Sequence, residues 1–150
     1  MPQSLNNIIL HLVFSTRERT PVLDAAVRSA LYPYLAIVVR NVDCGCPRVG
    51  GISDHVHRAI QFSRTITIAK LVEVLKTSSS KWLKTQSPDL SGFSWQRGYG
   101  VFSVNPSDLD ELIKYIDRQE EHHHTRTFQE EYRAFLFKYG VDFDERYVWD

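Results

Sequence analysis

The sequence predicts an α+β fold of the ferredoxin-like (split βαβ) kind: an antiparallel sheet with helices on one face and two additional C-terminal helices. Three observations predict it. Hydrophobic periodicity alternates between strand and helix spacing in the order β-α-β-β-α-β, followed by two further helical stretches. The 150 residues contain no internal repeat, low-complexity stretch or long linker, so residues 1–150 read as one domain. The composition, 43% hydrophobic and 24% charged, is that of a chain able to pack a core without disulfide or metal staples.

Each element has its own signal. Residues 7–14 (NIILHLVF) form a strand apolar on both faces, followed by the charged loop Arg17-Glu18-Arg19. Asp24 caps a helix reaching about Arg40, with Val27, Leu31, Tyr34 and Val38 on one stripe and a kink expected at Pro33. Residues 43–50 and 52–62 make two strands, with Gly50-Gly51 and Ser53-Asp54 read as turn residues. Ile68, Leu71, Val72 and Leu75 mark a helix over residues 67–84, with Lys70, Lys81 and Lys84 on another stripe. Residues 93–104 make the fourth strand, where Gly98 and Gly100 signal a bulge or a close backbone approach. Asn105-Pro106-Ser107-Asp108 opens a third helix with the stripe Leu109, Leu112, Ile113 and Ile116. Thr127 and Glu130 form a capping box for a fourth, lined by Phe128, Tyr132, Phe135, Leu136 and Tyr139 and ended by Gly140.

Composition excludes several classes. No apolar run reaches the roughly 18 residues a membrane span needs, so no membrane role is expected. The opening MPQSLNNIIL lacks the basic region and cleavage site of a signal peptide. Cys44 and Cys46, two apart, read as reduced thiols of a cytoplasmic protein. The net charge of zero conceals a split: 12 Lys+Arg against 6 Asp+Glu in residues 1–107, and 6 against 12 in residues 108–150. A basic part of this kind suits an anionic partner such as nucleic acid, or is simply solvated surface.

Two groups of residues can carry chemistry. In a strand, His55 and His57 project to the same face, where two imidazoles can share a metal; the spacing alone does not separate that from packed imidazoles. His122 and His124 make a poorer pair, since i and i+2 diverge on a helix, and a solvated helix end explains them. In the third helix Tyr115 and Gln119 stand one above the other, flanking the buried stripe by roughly 70–110° at helical spacing. Tyr115 is either a half-buried packing residue or a nucleophile, and Gln119 a possible oxygen ligand.

These residues resemble the single-tyrosine HUH transposases of bacterial insertion sequences. The resemblance runs along nearly the whole chain: residues 11–16 (HLVFST) for the opening strand, Gly50-Gly51 with Asp54-His55-Val56-His57 for the metal strand, and Trp95, residues 98–100 (GYG) and residues 102–104 (FSV) for the fourth strand. Tyr115-Ile116-Asp117-Arg118-Gln119 followed by Glu121-His122-His123 matches the catalytic helix, and residues 144–149 (DERYVW) match the ending. The departure is at Arg58 and Ala59, where larger apolar residues are expected.

The resemblance implies a metal-dependent, single-stranded DNA transposase. His55, His57 and Gln119 would hold Mg²⁺ or Mn²⁺, mixed N/O ligation favouring Mn²⁺ somewhat. Tyr115 would attack a scissile phosphate, giving a 5′-phosphotyrosine and a free 3′-hydroxyl that allow rejoining without ATP. Arg17, Arg19, Arg64, Lys70, Lys81, Lys84 and Arg97 would contact DNA phosphates, and Trp82, Trp95 and Tyr99 would stack on bases unless they pack in the core. It further implies partners with hairpin ends, a nucleoid-associated location, and a homodimer in which Tyr115 of one copy reaches His55 and His57 of the other. Two alternatives stay open: a domesticated relative that nicks chromosomal repeats, and a non-catalytic ferredoxin-like module binding nucleic acid.

Overall fold

The computed structural model describes residues 2–150. Strands β1 (Ile9–Ser15), β2 (Gly45–Ile52), β3 (His55–Gln61) and β4 (Gly100–Val104) form one antiparallel sheet in the order β2-β3-β1-β4, the split βαβ arrangement. Helices α1 (Ala25–Asn41) and α2 (Ile68–Lys84) cover one face. Helices α3 (Leu109–Asp117), α4 (Gln119–His122) and α5 (Phe128–Lys138) follow β4 and cover the other. The additional C-terminal helices thus turn a two-layer fold into three layers.

Period-2 alternation assigns the side chains. Leu10, Leu12 and Phe14 of β1 join Val56 and Ile60 of β3 beneath Leu31, Leu35, Leu71 and Leu75, forming the main core. Ile9 and Val13 face the other way, toward Leu112, Ile116, Phe128 and Tyr132. His11, His55 and His57 share that second face, and all three are buried.

Several elements differ from expectation, each for a local reason. Pro33 lies inside an unbroken α1. Pro33 and Ser29 are both exposed, so the carbonyl left without a donor faces the solvent side, while Leu31 and Leu35 hold the helix down. The fourth strand is only Gly100–Val104. Residues 93–99 instead wrap the core edge: Phe93 and Trp95 bury against each other and Trp95 against Phe14, and the Lys76 ammonium donates to the carbonyls of Gln96, Arg97 and Gly98 at 2.7, 2.9 and 2.8 Å.

Gly50 and Gly51 belong to β2 and not to the turn. A Cβ at Gly50 would stand 2.6 Å from Ile116 Cγ2, so the missing side chain is what lets α3 press onto the sheet beside His57, the cross-strand partner of Gly50. Gly100 makes the same kind of room for Tyr132, whose ring lies 2.6 Å from where its Cβ would be. Cys44 and Cys46 are free thiols. Among the described residues no helix is long and apolar enough to cross a membrane.

Candidate active site

The site grows from β3. Alternation puts His55 and His57 side by side under α3–α5, their rings 4.9 Å apart. The third predicted helix breaks at Arg118 (φ −100°, ψ 18°), which separates α3 from α4. The break swings Gln119 inward, so it is buried in the cluster instead of flanking the stripe beside Tyr115. Helix α5, started by the Thr127 hydroxyl accepting from the Glu130 amide, delivers Glu131 from above.

Glu131 is the hub. Its Oε1 accepts from His57 Nε2 at 3.0 Å and from His55 and His123 Nε2 at 3.3 Å each. Its Oε2 accepts from Gln119 Nε2 at 3.1 Å and from the Tyr115 hydroxyl. Gln119 Oε1 lies 2.9 Å from His55 Nε2. Behind these, His55 Nδ1 donates to Asp54 Oδ1 at 2.7 Å, and His57 Nδ1 shares a 2.7 Å hydrogen bond with His11 Nε2. The outer partners fix both rings with Nε2 facing inward.

Burial and charge set the protonation states. Burial alone would lower His55, but hydrogen bonds to Asp54 and Glu131 outweigh it and raise its pKa to about 9. Burial lowers His57 to about 4, only partly opposed by Glu131. Burial would raise the Glu131 carboxyl, yet its interaction with His57 and the hydrogen bonds from His123, His55 and His57 hold it well below the usual carboxylate range. Burial, then the Glu131 charge, pushes the Tyr115 hydroxyl well above its ordinary value.

The donor set suits a divalent cation. Ligand atoms of His55, His57 and Glu131 lie within 4.8 Å of one another, and the imidazole–carboxylate separations are close to the roughly 3 Å between adjacent ligands about 2.1 Å from an ion. Two imidazoles, a carboxylate and the Gln119 amide oxygen make a mixed nitrogen and oxygen donor set.

The structure therefore brings Tyr115, Gln119, His55 and His57 together within one chain, whereas the expected shared site has Tyr115 reaching a second copy. The seven expected basic residues stand elsewhere. Lys70, Lys81 and Lys84 lie exposed on α2, across the sheet from the cluster. Arg64 sits past the far end of β3, and Arg17, Arg19 and Arg97 lie beyond the β1 end nearest His55. Trp95 is core, its indole donating to Ser79 Oγ at 2.9 Å, and Trp82 stacks on Tyr34 at 4.9 Å.

Three participants escaped sequence reading. Glu131 carried a signal: it lies three residues after Phe128 and four before Phe135, a charge on the apolar stripe of α5. His123 enters the cluster from the expected solvated helix end, and His122 stacks on Tyr115 at 4.7 Å. His11 entered the sequence reading only as the first residue of the matched opening strand, with no chemical role.

Fold and site define a class: a ferredoxin-like sandwich with a buried His-His-Glu cluster able to hold a divalent metal, a tyrosine against it and a cleft beside it. Comparison with known proteins gives the family. The family described as transposase IS200 like matches residues 4–119, and the chain belongs to it. A putative transposase from Deinococcus radiodurans R1 superposes with a TM-score of 0.62 at 21% identity, covering 79% of this chain and 98% of that one. A REP-associated tyrosine transposase bound to a REP hairpin gives 0.60 at 13% identity, covering 82% and 72%. At these identities both establish the fold. No curated protein matches. The family match ends at Gln119, so α5 and Glu131 lie outside it.

Proposed function

We propose that this transposase cleaves and rejoins single-stranded DNA by metal-dependent transesterification at Tyr115, with a site complete in one chain. The observation that carries the proposal is the convergence of Tyr115, Gln119, His55 and His57 on Glu131. The Tyr115 oxygen attacks the scissile phosphorus and gives up its proton, the bond from phosphorus to the 3′ oxygen breaks, and that oxygen takes up a proton in exchange and leaves as a 3′-hydroxyl while the phosphate stays on tyrosine. The hydroxyl proton of Tyr115 already points at the Glu131 carboxylate. His55, His57, Gln119 and Glu131 are the residues that would hold Mn²⁺ or Mg²⁺. Bound there, the cation would supply positive charge at the phosphate and offset the Glu131 charge that keeps Tyr115 protonated. Asp54 and His11 hold the imidazoles in the required orientation.

Hairpin-ended single-stranded DNA is the proposed partner, in keeping with the REP hairpin carried by one structural relative. The exposed α2 lysines and Arg17, Arg19, Arg64 and Arg97 would grip its backbone away from the cleavage point. The test incubates the protein with end-labelled single-stranded DNA from the flanks of its own gene, with Mn²⁺ or with chelator. A detergent-stable adduct that needs the metal and disappears in Tyr115→Phe is expected. An adduct that survives in Tyr115→Phe, or forms equally well in chelator, overturns the proposal.

A further inference from the structure

Helices α3 and α5 do not close over the sheet. Between them runs an open cleft of about 690 Å³, floored by β4 and reaching Tyr115 at its inner end. Its size falls within the roughly 300–1,000 Å³ of ligand-binding clefts. At the mouth stands Tyr139, 37% exposed. The inner face of its ring is seated on Phe102, 4.8 Å away and within 15° of parallel, and Phe102 in turn stacks on Phe135. The result is an aromatic shelf at the cleft, with the Lys138 ammonium over the Tyr139 ring, 5.5 Å from its centre.

The cleft's charges suit a polyanion. Arg118, Arg126 and Lys138 line it, and none forms an ion pair with a carboxylate among the described residues. Three carboxylates also line it: Glu111 is tied to Lys114 at 3.8 Å, Glu131 is engaged by the imidazoles of the cluster, and Asp108 stands near the opening turn of α3. His122, stacked on Tyr115, adds a buried Nε2 with no hydrogen-bond partner. A buried polar atom left unpaired costs about 1–3 kcal/mol, so an orphan beside an open cleft marks a position for a ligand's polar group.

We propose that the α3–α5 cleft is a nucleotide-binding site that holds the single strand next to Tyr115, with Tyr139 as the stacking platform for a base and Arg118, Arg126 and Lys138 as the phosphate contacts. The inference rests on the transposase reading and adds to it the path of the strand. An aromatic shelf accepts any unstacked base, whereas a paired base keeps its faces covered by its neighbours. Single strands therefore enter and duplex does not. Helices α3 and α5 both supply its walls, and three of the residues proposed to hold base and phosphate, Arg126, Lys138 and Tyr139, lie beyond the end of the family match.

The test measures binding of fluorescein-labelled hexathymidylate to Tyr115→Phe protein, in which no adduct through Tyr115 can form, at several salt concentrations. Tyr139→Leu is expected to weaken binding about tenfold with an unchanged salt slope, and Tyr139→Trp to retain affinity. Lys138→Gln is expected to weaken binding and to flatten the slope of log affinity against log salt by about 0.7, the signature of one lost phosphate contact. Affinities within twofold of the parent in Tyr139→Leu and Lys138→Gln overturn the proposal. So does an unchanged slope in Lys138→Gln, which would mean general loosening. Failure of the transposase chemistry is visible separately: the wild-type chain would form no adduct with DNA while the cleft variants still lost hexathymidylate.

Discussion

The two faces of the sheet are built from the same strands and do opposite work. On β3, Val56 and Ile60 join the apolar layer under α1 and α2, while His55 and His57, one residue out of phase, enter a polar cluster under α3–α5. Strand alternation alone separates folding from chemistry. The exception is Arg58. It sits on the folding face, fully buried, its guanidinium 4.0 Å from the Phe14 ring centre, and none of its nitrogens finds a hydrogen-bond partner. Burial pushes its pKa down to about 9. On the chemical face every buried charge is paired; on the folding face one charge is not.

That contrast can be broken by substitution. The largest effect belongs to the polar hub. Glu131→Gln removes the charge that draws the cluster together and is expected to weaken Mn²⁺ binding by at least tenfold in calorimetry; affinity equal to wild type would show that the hub is a spacer only. The same binding is expected to depend on pH with a defined sign. With a pKa of about 9, His55 carries at pH 7 a proton on Nε2 that an ion must displace, whereas His57, at about 4, is already neutral. Affinity therefore rises about tenfold per pH unit above neutrality and levels near pH 9. A flat profile would mean His55 is not a ligand.

The contact between the faces and their helices comes next. Gly50→Ala places a methyl against Ile116 and is expected to cost about 1–3 kcal/mol in chemical denaturation, with a loss of metal affinity because α3 carries Tyr115 and leads into Gln119. A variant as stable as wild type would show that α3 does not need so close a seat. The smallest effect, and the only gain, is on the folding face: Arg58→Met keeps the length and drops the unpaired charge. It is expected to stabilise the chain by about 1 kcal/mol, tempered by the lost contact with Phe14. Destabilisation would mean that Arg58 has a partner.

How much of this was legible depended on whether the signal was local. The strand order, the helix stripes, the Asp24 and Thr127 caps and the His55/His57 pair follow from periodicity and from side chains a few residues apart. Tyr115 and Gln119 were legible as residues but not as geometry, because the turn at Arg118 that buries Gln119 has no local marker. Glu131 was hidden because it is 74 residues from His57 and only the packing of α5 brings them together. The glycines misled for a related reason: Gly50 has a turn's composition, but its role is set by a helix 66 residues later. Residues 93–99 have strand composition, and only a short bridge of Trp95 to Thr16 realises it, while the carbonyls of Gln96, Arg97 and Gly98 turn to Lys76.

The account's central claim is that one chain supplies both the nucleophile and the ligand pair. Mixing tests it most directly. Tyr115→Phe protein and His55→Ala/His57→Ala protein are each expected to be inactive on single-stranded DNA, and the account predicts no adduct after they are combined and allowed to exchange, since every site then still lacks either its tyrosine or its imidazoles. Activity restored on mixing would place Tyr115 against a second copy's histidines and contradict it.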